Sequence, residues 1–392
     1  LTQSSKLWTK DFIIIFLTNF FTHVVFYLLM VMIAIFTATK FNVSQSVAGF
    51  ATGIFVLASL LARIFTGKYL DRFGRKKMLV YSLIVFVIAM ILHLYADQLY
   101  FLLIIRFIHG AMHGCITTAA GAIAADLIPD DRRGEGTGYY STAMNIAMAF
   151  GPFLGMFLYE RTSFTVIFMV GIVVSLFDLI VICFLKPPQK VMIEEHQKGF
   201  YLKDFIEPKA VPISASVFLI TLAYASLISF LTQYARDIHL VSASSFFFIV
   251  YALALIITRP FTGKWFDLFG ANRLNYPLLL VVAVGFFLLC MVQNSFMFLL
   301  SAVFIGIGYG TLISNFQAIA IQESPSHRKS LATSTFFMFL DLSNGIGPYL
   351  VGVMVTFIPL KMVYGIVAIW IFVCLFVYYL VYGKRVKSIS ER

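Results

Sequence analysis

Charge is what this sequence has least of. Asp, Glu, Lys and Arg make up 12% of its 392 residues, where a soluble domain carries about 25%. Acids are the scarcer sign, at 18 against 29 lysines and arginines. Cysteine is rarer still: Cys115, Cys183, Cys290 and Cys374 each stand alone inside an apolar stretch. That spacing excludes a disulfide framework and a cysteine-based metal site. Glycine-rich phosphate loops, zinc-ligand patterns and a large soluble domain are missing too. Nucleotide hydrolysis on this chain is thereby excluded, and the reading is of a non-enzyme with no cofactor and no metal. The first apolar stretch is too long for a signal-peptide core and lacks a small-residue cleavage site, so it is expected to be a retained span.

What is there is hydrophobic: 60% of the residues, with 17% aromatic. The apolar residues run in stretches of roughly 20, enough at 1.5 Å per residue to cross about 30 Å of hydrocarbon. Spans are expected near 12–38, 46–67, 78–96, 100–126, 137–158 and 164–185, then 211–234, 244–264, 275–293, 296–320, 331–357 and 361–383. The expected fold is an all-α membrane protein of twelve transmembrane helices. The division is an amino-terminal six-helix bundle over 1–185, a linker over 186–210 and a carboxy-terminal six-helix bundle over 211–392. Part of the linker, Phe200–Glu207, has the pattern of a short amphipathic helix lying on the membrane surface.

The net charge of +11 is explained by orientation rather than by nucleic acid. With the amino terminus inside, 22 of the 29 lysines and arginines fall in inside segments. Only Lys40, Arg161, Arg236 and Lys361 fall outside, and three arginines lie within spans. Basic residues accumulate in cytoplasmic loops, so both termini are expected in the cytoplasm, with a bacterial inner membrane as the setting. Asn42-Val-Ser44 matches a glycosylation sequon, a triplet common by chance.

The chain is also a duplication. Arg63-Ile-Phe-Thr-Gly-Lys-Tyr-Leu-Asp-Arg-Phe-Gly74 returns 196 residues later as Arg259-Pro-Phe-Thr-Gly-Lys-Trp-Phe-Asp-Leu-Phe-Gly270, with eight of twelve positions identical. At the same offset Gly110 and Gly114 in span 4 match Gly306 and Gly310 in span 10, and Gly151-Pro152 in span 5 matches Gly347-Pro348 in span 11. Small residues four apart let helices approach closely, and an intramembrane proline permits a bend.

These motifs resemble those of the major facilitator superfamily. Gly67-Lys-Tyr-Leu-Asp71-Arg72-Phe-Gly74-Arg75-Lys76 is similar to its signature loop, and Gly263, Asp267 and Gly270 to the second copy. Arg106 with Gly110 and Gly114 resembles its span 4 motif. Gly151, Pro152 and Gly155 resemble the span 5 motif of its twelve-span drug:proton antiporters, although Ala147 and Met156 stand where that motif has glycines. The resemblance implies two pseudo-symmetric bundles around a midplane cavity lined by spans 1, 4, 7 and 10. It also implies a charged latch between the halves, in which Arg72 and Arg75 pair with Asp126 or Glu135. The second copy has Leu268 and Ala271 where the arginines would be. Asp71 is placed to accept backbone N–H groups at the start of another helix.

Ionisable groups within spans are expensive and are functional candidates by default. Arg106, His109, His113 and Thr117 share one helical face, as do Asn19, Thr22, His23 and Phe26. Span 7 offers Ser226, Ser229 and Gln233; span 10 offers Tyr309, Thr311 and Asn315. The substrate-cavity candidates are Asn19, His23, Arg106, Ser229, Gln233, Tyr309 and Asn315. The proton-coupling candidates are Asp341, which must find a cation or hold a proton there, then Asp178 and the histidines His109 and His113, whose type titrates near neutral pH. Asp11 lies only at the inner edge of span 1. Arg63 and Arg259 either reach the inner headgroups or reach the cytoplasmic mouth, to contact an anionic substrate or the facing half.

The function so read is secondary active transport by alternating access: proton-coupled efflux of a small organic compound, either a drug-like amphiphile or a metabolite. Uptake of an anionic metabolite by proton symport is the alternative, and a lipid-translocating carrier or a membrane receptor is the reading from outside transport. The expected partners are a small-molecule substrate, protons and the lipid bilayer, with the protein itself a monomer.

Overall fold

The computed structural model describes residues 6–43, 45–186 and 205–385. Residues 200–204 of the expected surface helix lie outside them; Phe205 and Ile206 lie in a turn and a bend, and Glu207 is in no regular element. Every regular element among the described residues is helical, and twelve helices are long and apolar enough to cross a membrane. They are α1 Lys10–Phe41, α2 Gln45–Phe73, α3 Arg75–Leu92, α4 Leu99–Leu127, α5 Arg133–Arg161 and α6 Phe164–Cys183. Then come α7 Val211–Asp237, α8 Val241–Phe269, α9 Ala271–Cys290, α10 Ser295–Glu323, α11 Lys329–Val355 and α12 Leu360–Tyr378.

Local chemistry sets several ends. Thr9 caps α1, its hydroxyl accepting from the Phe12 N–H at 3.2 Å, and α1 stops at Asn42 in the left-handed region. Asn294 caps α10 through the Met297 N–H at 3.0 Å. Gly74 separates α2 from α3 at φ +90°, and Gly270 separates α8 from α9 at φ +81°. Both copies of the repeat thus keep glycine where the chain turns with positive φ, a conformation that penalises a Cβ. Many large apolar side chains, among them Leu57, Phe107, Phe177, Leu253 and Phe372, are exposed; in a membrane protein such surface meets lipid tails.

The chain packs as two compact units. The first comprises Leu1–Pro129, Ala143–Glu207 and Pro325–Met338, the second Asp130–Thr142, Pro208–Ser324 and Phe339–Arg392, within the described residues. The first turns of α5 therefore pack with the second unit, and those of α11 with the first.

Glycines let helices approach closely in each unit. In the first, a Cβ on Gly110 or Gly114 of α4 would fall on the carbonyl of Phe55 or Ser59 of α2. In the second, a Cβ on Gly306 of α10 would fall on the carbonyl of Tyr251 of α8, 196 residues beyond Phe55. Gly151 of α5 lies against Tyr27 and Leu28 of α1, and its repeat mate Gly347 of α11 against Ala225 of α7. Without a hydrophobic force between helices in lipid, such close packing is a main source of association.

Candidate functional site

Both loop motifs end on the start of another helix. In the second unit the Asp267 carboxylate accepts from the Gly134 N–H at 2.7 Å and the Glu135 N–H at 2.9 Å, in the first turn of α5. That turn has no intrahelical acceptors and carries the positive end of the helix dipole. Gly263 lets α8 in, since a Cβ there would stand 2.8 Å from the Glu135 Cα. In the first unit Asp71 accepts from the Ser330 hydroxyl of α11 at 3.1 Å. Gly67 meets Ser334 and Leu331 of α11, with a Cβ at 2.6 Å from the Ser334 Cβ. Ser330, Leu331 and Ser334 are the repeat counterparts of Gly134, Glu135 and Gly138. The same crossing is built twice, once with a hydroxyl donor and once with backbone donors.

Charge distinguishes the copies. Arg75 Nε donates to Asp71 at 2.6 Å, while Nη1 pairs with Asp126 and reaches the Ala122 carbonyl at 3.1 Å. Glu135 pairs with Arg132 at 2.8 Å, and Arg72 is exposed outside these pairs. Leu268, in Arg72's place in the second copy, is also exposed.

The polar stripe of α4 is turned into the interior of the first unit. Arg106 Nε donates to the Ala51 carbonyl at 3.2 Å and its guanidinium lies 4.4 Å from the Phe55 ring centre. His109 is enclosed by Phe55, Phe86 and His93, at 5.4, 4.0 and 5.4 Å between ring centres, and among the described residues neither of its nitrogens has a hydrogen-bond partner. His113 stacks on Phe26 at 4.9 Å and meets the His23 ring at 5.3 Å and the Ser59 hydroxyl at 3.4 Å. Thr117 accepts from Arg63 Nη1 at 2.7 Å. The face that carries Gly110 and Gly114 is the one that α2 approaches, so the groups beside them are buried with them.

The α1 face divides between two neighbours. His23 donates from Nδ1 to the Asn19 carbonyl at 2.8 Å and turns towards α4. Thr22 turns towards α6 and donates to Asp178 at 2.9 Å; among the described residues the other Asp178 oxygen has no hydrogen-bond partner. In the second unit Tyr309 stacks on Tyr224 with ring centres 4.0 Å apart, and its hydroxyl meets Thr221 at 3.2 Å. Asn315 donates to Asn275 at 2.7 Å, which donates to Tyr378 at 3.0 Å, behind α10 and towards α9 and α12. Ser229 and Gln233 are exposed on α7, and Asp341 is half-buried on α11.

The family model of the Major Facilitator Superfamily matches residues 15–274 and 213–391, together nearly the whole chain. The chain belongs to the Major Facilitator Superfamily. It is a multi-pass membrane transporter. An uncharacterized MFS-type transporter of Methanocaldococcus jannaschii is 23% identical over 92% of this chain and 95% of its own length. The multi-drug resistance efflux pump PmrA of Streptococcus pneumoniae is 26% identical, with 87% of this chain and 88% of PmrA aligned. Multidrug resistance protein MdtG of Serratia proteamaculans is 25% identical, with 87% and 86% aligned. Among solved structures, the human organic anion transporter MFSD10 superposes with a TM-score of 0.78 at 13% identity, covering 94% of this chain and 98% of that one. FucP in its outward conformation gives 0.71 at 15% identity, covering 94% and 98%. At those identities the structures speak for the fold alone.

Within this superfamily chain, the residues that motif reading passed over are the receivers of the loop motifs. Ser330, Ser334 and Gly138 carry no unusual chemistry of their own. Their signal lay in the 196-residue offset, which puts Gly134 with Ser330 and Gly138 with Ser334. Glu207 was likewise missed: it pairs with Arg328 at 2.7 Å and its N–H donates to Thr335 at 2.9 Å, pinning the linker's end to the start of α11.

Proposed function

We propose that this transporter exports small organic compounds in exchange for protons, by alternating access, from the cytoplasmic side of a cell membrane in which both termini face the cytoplasm. The observation that carries the coupling half of this reading is Asp178. It is a fully buried carboxyl between α1 and α6, held by the Thr22 hydroxyl, with one oxygen unpartnered. An intramembrane acid without a cation is a proton-binding group by default. Export is supported by the relatives named as efflux pumps, and by Gly151-Pro152 and Gly347-Pro348, where α5 and α11 seat on α1 and α7 and carry an internal proline. Ser229 and Gln233 are the candidates to touch substrate directly. Asn19, His23, Arg106, Tyr309 and Asn315 act from behind the cavity wall by holding its helices.

Alternating access requires the crossings at Asp71 and Asp267 to part. With Arg75, Asp126, Gly67 and Gly263 they form the latch of this reading, and Gly74 and Gly270 are its turns.

Ethidium uptake into inside-acid proteoliposomes tests the proposal. Wild type is expected to accumulate the dye against its gradient and to lose this when the pH gradient is collapsed. Asp178→Asn is expected to lose accumulation while keeping downhill dye exchange. If Asp178→Asn accumulates dye like wild type and Asp341→Asn does not, the coupling site moves to α11. If neither substitution matters, proton coupling through either acid is wrong.

A further inference from the structure

Arg63 and Arg259 hold the same place in the two copies of the repeat, one turn before the loop motif's glycine, and each is 1% exposed. Their surroundings differ. Arg63 donates from Nη1 to the hydroxyls of Thr117 and Thr118, at 2.7 and 3.4 Å, and lies 4.8 Å from the Phe337 ring centre. One repeat on, Thr117 is replaced by Ile313, and Ser314, in place of Thr118, gives its hydroxyl to the Gly310 carbonyl. Where Arg63 has Phe337, Arg259 has Ser141, whose hydroxyl is engaged with the Thr137 carbonyl and Gln317. Arg259 keeps the charge and loses the partners: among the described residues, Nε, Nη1 and Nη2 are all buried without a hydrogen bond. Tyr139 of α5 and Asp267 of its own helix are the titratable groups that face it. Its guanidinium presses against Gly138 of α5, where any Cβ would collide with it.

A position that had only to be filled would be better served by an apolar side chain, because a buried ion without hydrogen bonds is strongly unfavourable. A guanidinium offers five N–H donors in a planar fork that matches oxyanions two at a time. Gly138 is the thinnest cover the chain can place over it. We propose that Arg259 is an anion-capture site: when the first turns of α5 withdraw from α8, its guanidinium receives the oxyanion group of an amphiphile, either an organic anion from the cytosol or an inner-leaflet lipid. This rests on the alternating-access reading above.

Carboxyfluorescein binding to the purified full chain, followed by fluorescence anisotropy in phosphatidylcholine nanodiscs, tests the site. Wild type is expected to bind the dye, and Arg259→Gln to bind it about tenfold more weakly or worse, as loss of a charge-assisted pair predicts. Arg259→Lys, which keeps the charge and loses the fork, should fall between and serves where the glutamine variant does not fold. Asp71→Asn, by loosening the latch, should raise the affinity severalfold, and only while Arg259 is present. Nanodiscs containing phosphatidylglycerol separate the sources: displacement of the dye there identifies lipid as an occupant, and unchanged binding identifies the soluble anion. Equal binding by wild type, Arg259→Gln and Arg259→Lys overturns the site. So does an Asp71→Asn gain that survives Arg259→Gln. Wild type that accumulates ethidium but binds no carboxyfluorescein overturns it while leaving the exporter reading intact. Dye binding without gradient-driven ethidium uptake overturns the exporter reading alone.

Discussion

A polar side chain in the membrane interior has to find its partner there, and the first unit shows three outcomes. Arg63 finds threonine hydroxyls, Arg106 a backbone carbonyl and a ring, and His109 only rings. His109 was attractive in the sequence because it shares a face with Arg106 and His113. Spacing identified the face correctly as a stripe, yet it carries no information on which neighbour the stripe meets. Enclosed by Phe55, Phe86 and His93, the His109 imidazole has no hydrogen-bond partner among the described residues. Replacing an unpaired buried polar group by an apolar one of similar size is near neutral or stabilising. His109→Leu is therefore expected to change stability by no more than about 1 kcal/mol, read as a thermal melt in detergent, and to leave the pH dependence of ethidium uptake as in wild type. A flattened pH profile in this variant would return His109 to the coupling pathway.

At the scale of the element, the aspartate of each loop motif holds the start of a distant helix, and Asp267 caps it. The motif itself was legible, as were its glycines, because identity at a fixed offset is a strong signal and positive φ at Gly74 and Gly270 gives it a cause. The expectation that Asp71 accepts backbone N–H groups is corrected: Asp71 accepts from the Ser330 hydroxyl, and the backbone bonds belong to its repeat mate Asp267. What a single sequence could not supply was the receiving helix, since nothing in Gly134 or Ser330 announces a partner more than a hundred residues away. Losing a helix cap costs about 0.5–2 kcal/mol. Asp267→Ala should accordingly speed hydrogen exchange at the amides of Gly134 and Glu135 without altering exchange in α9. Unchanged protection at those two amides would mean that the bonds do not hold α5. The linker's end makes a parallel case. Glu207→Gln breaks the pair between buried Glu207 and half-buried Arg328, at a cost of about 1 kcal/mol. Faster exchange at Leu331–Thr335 is the expected readout, and identical exchange would reduce the linker to a passive tether.

For the whole molecule, two properties of the sequence were enough to give the architecture: apolar runs of membrane-crossing length and a 196-residue repeat. The division into units was less accessible. The contiguous cut at 186–210 follows the repeat, whereas packing places Asp130–Thr142 with the second unit and Pro325–Met338 with the first. Those exchanged segments are the first turns of α5 and α11, the same turns the loop motifs grip, and no composition shift marks them. Orientation in the membrane rests on a different kind of argument, the free energy of moving Lys and Arg across a bilayer, and it can be tested independently of any substrate. Lys209, exposed just before α7, and Lys361, exposed at the start of α12, are separated by five spans. An odd number of crossings puts them on opposite sides. With the four native cysteines replaced, Lys209→Cys should react with a membrane-impermeant maleimide only in inside-out vesicles, and Lys361→Cys only in right-side-out cells. Both cysteines reacting from one side would break the span count between them. The reverse pattern would keep the twelve helices but turn the molecule over, placing Arg259 and the crossings at Asp71 and Asp267 at the outer surface, where the proposed capture site would serve uptake.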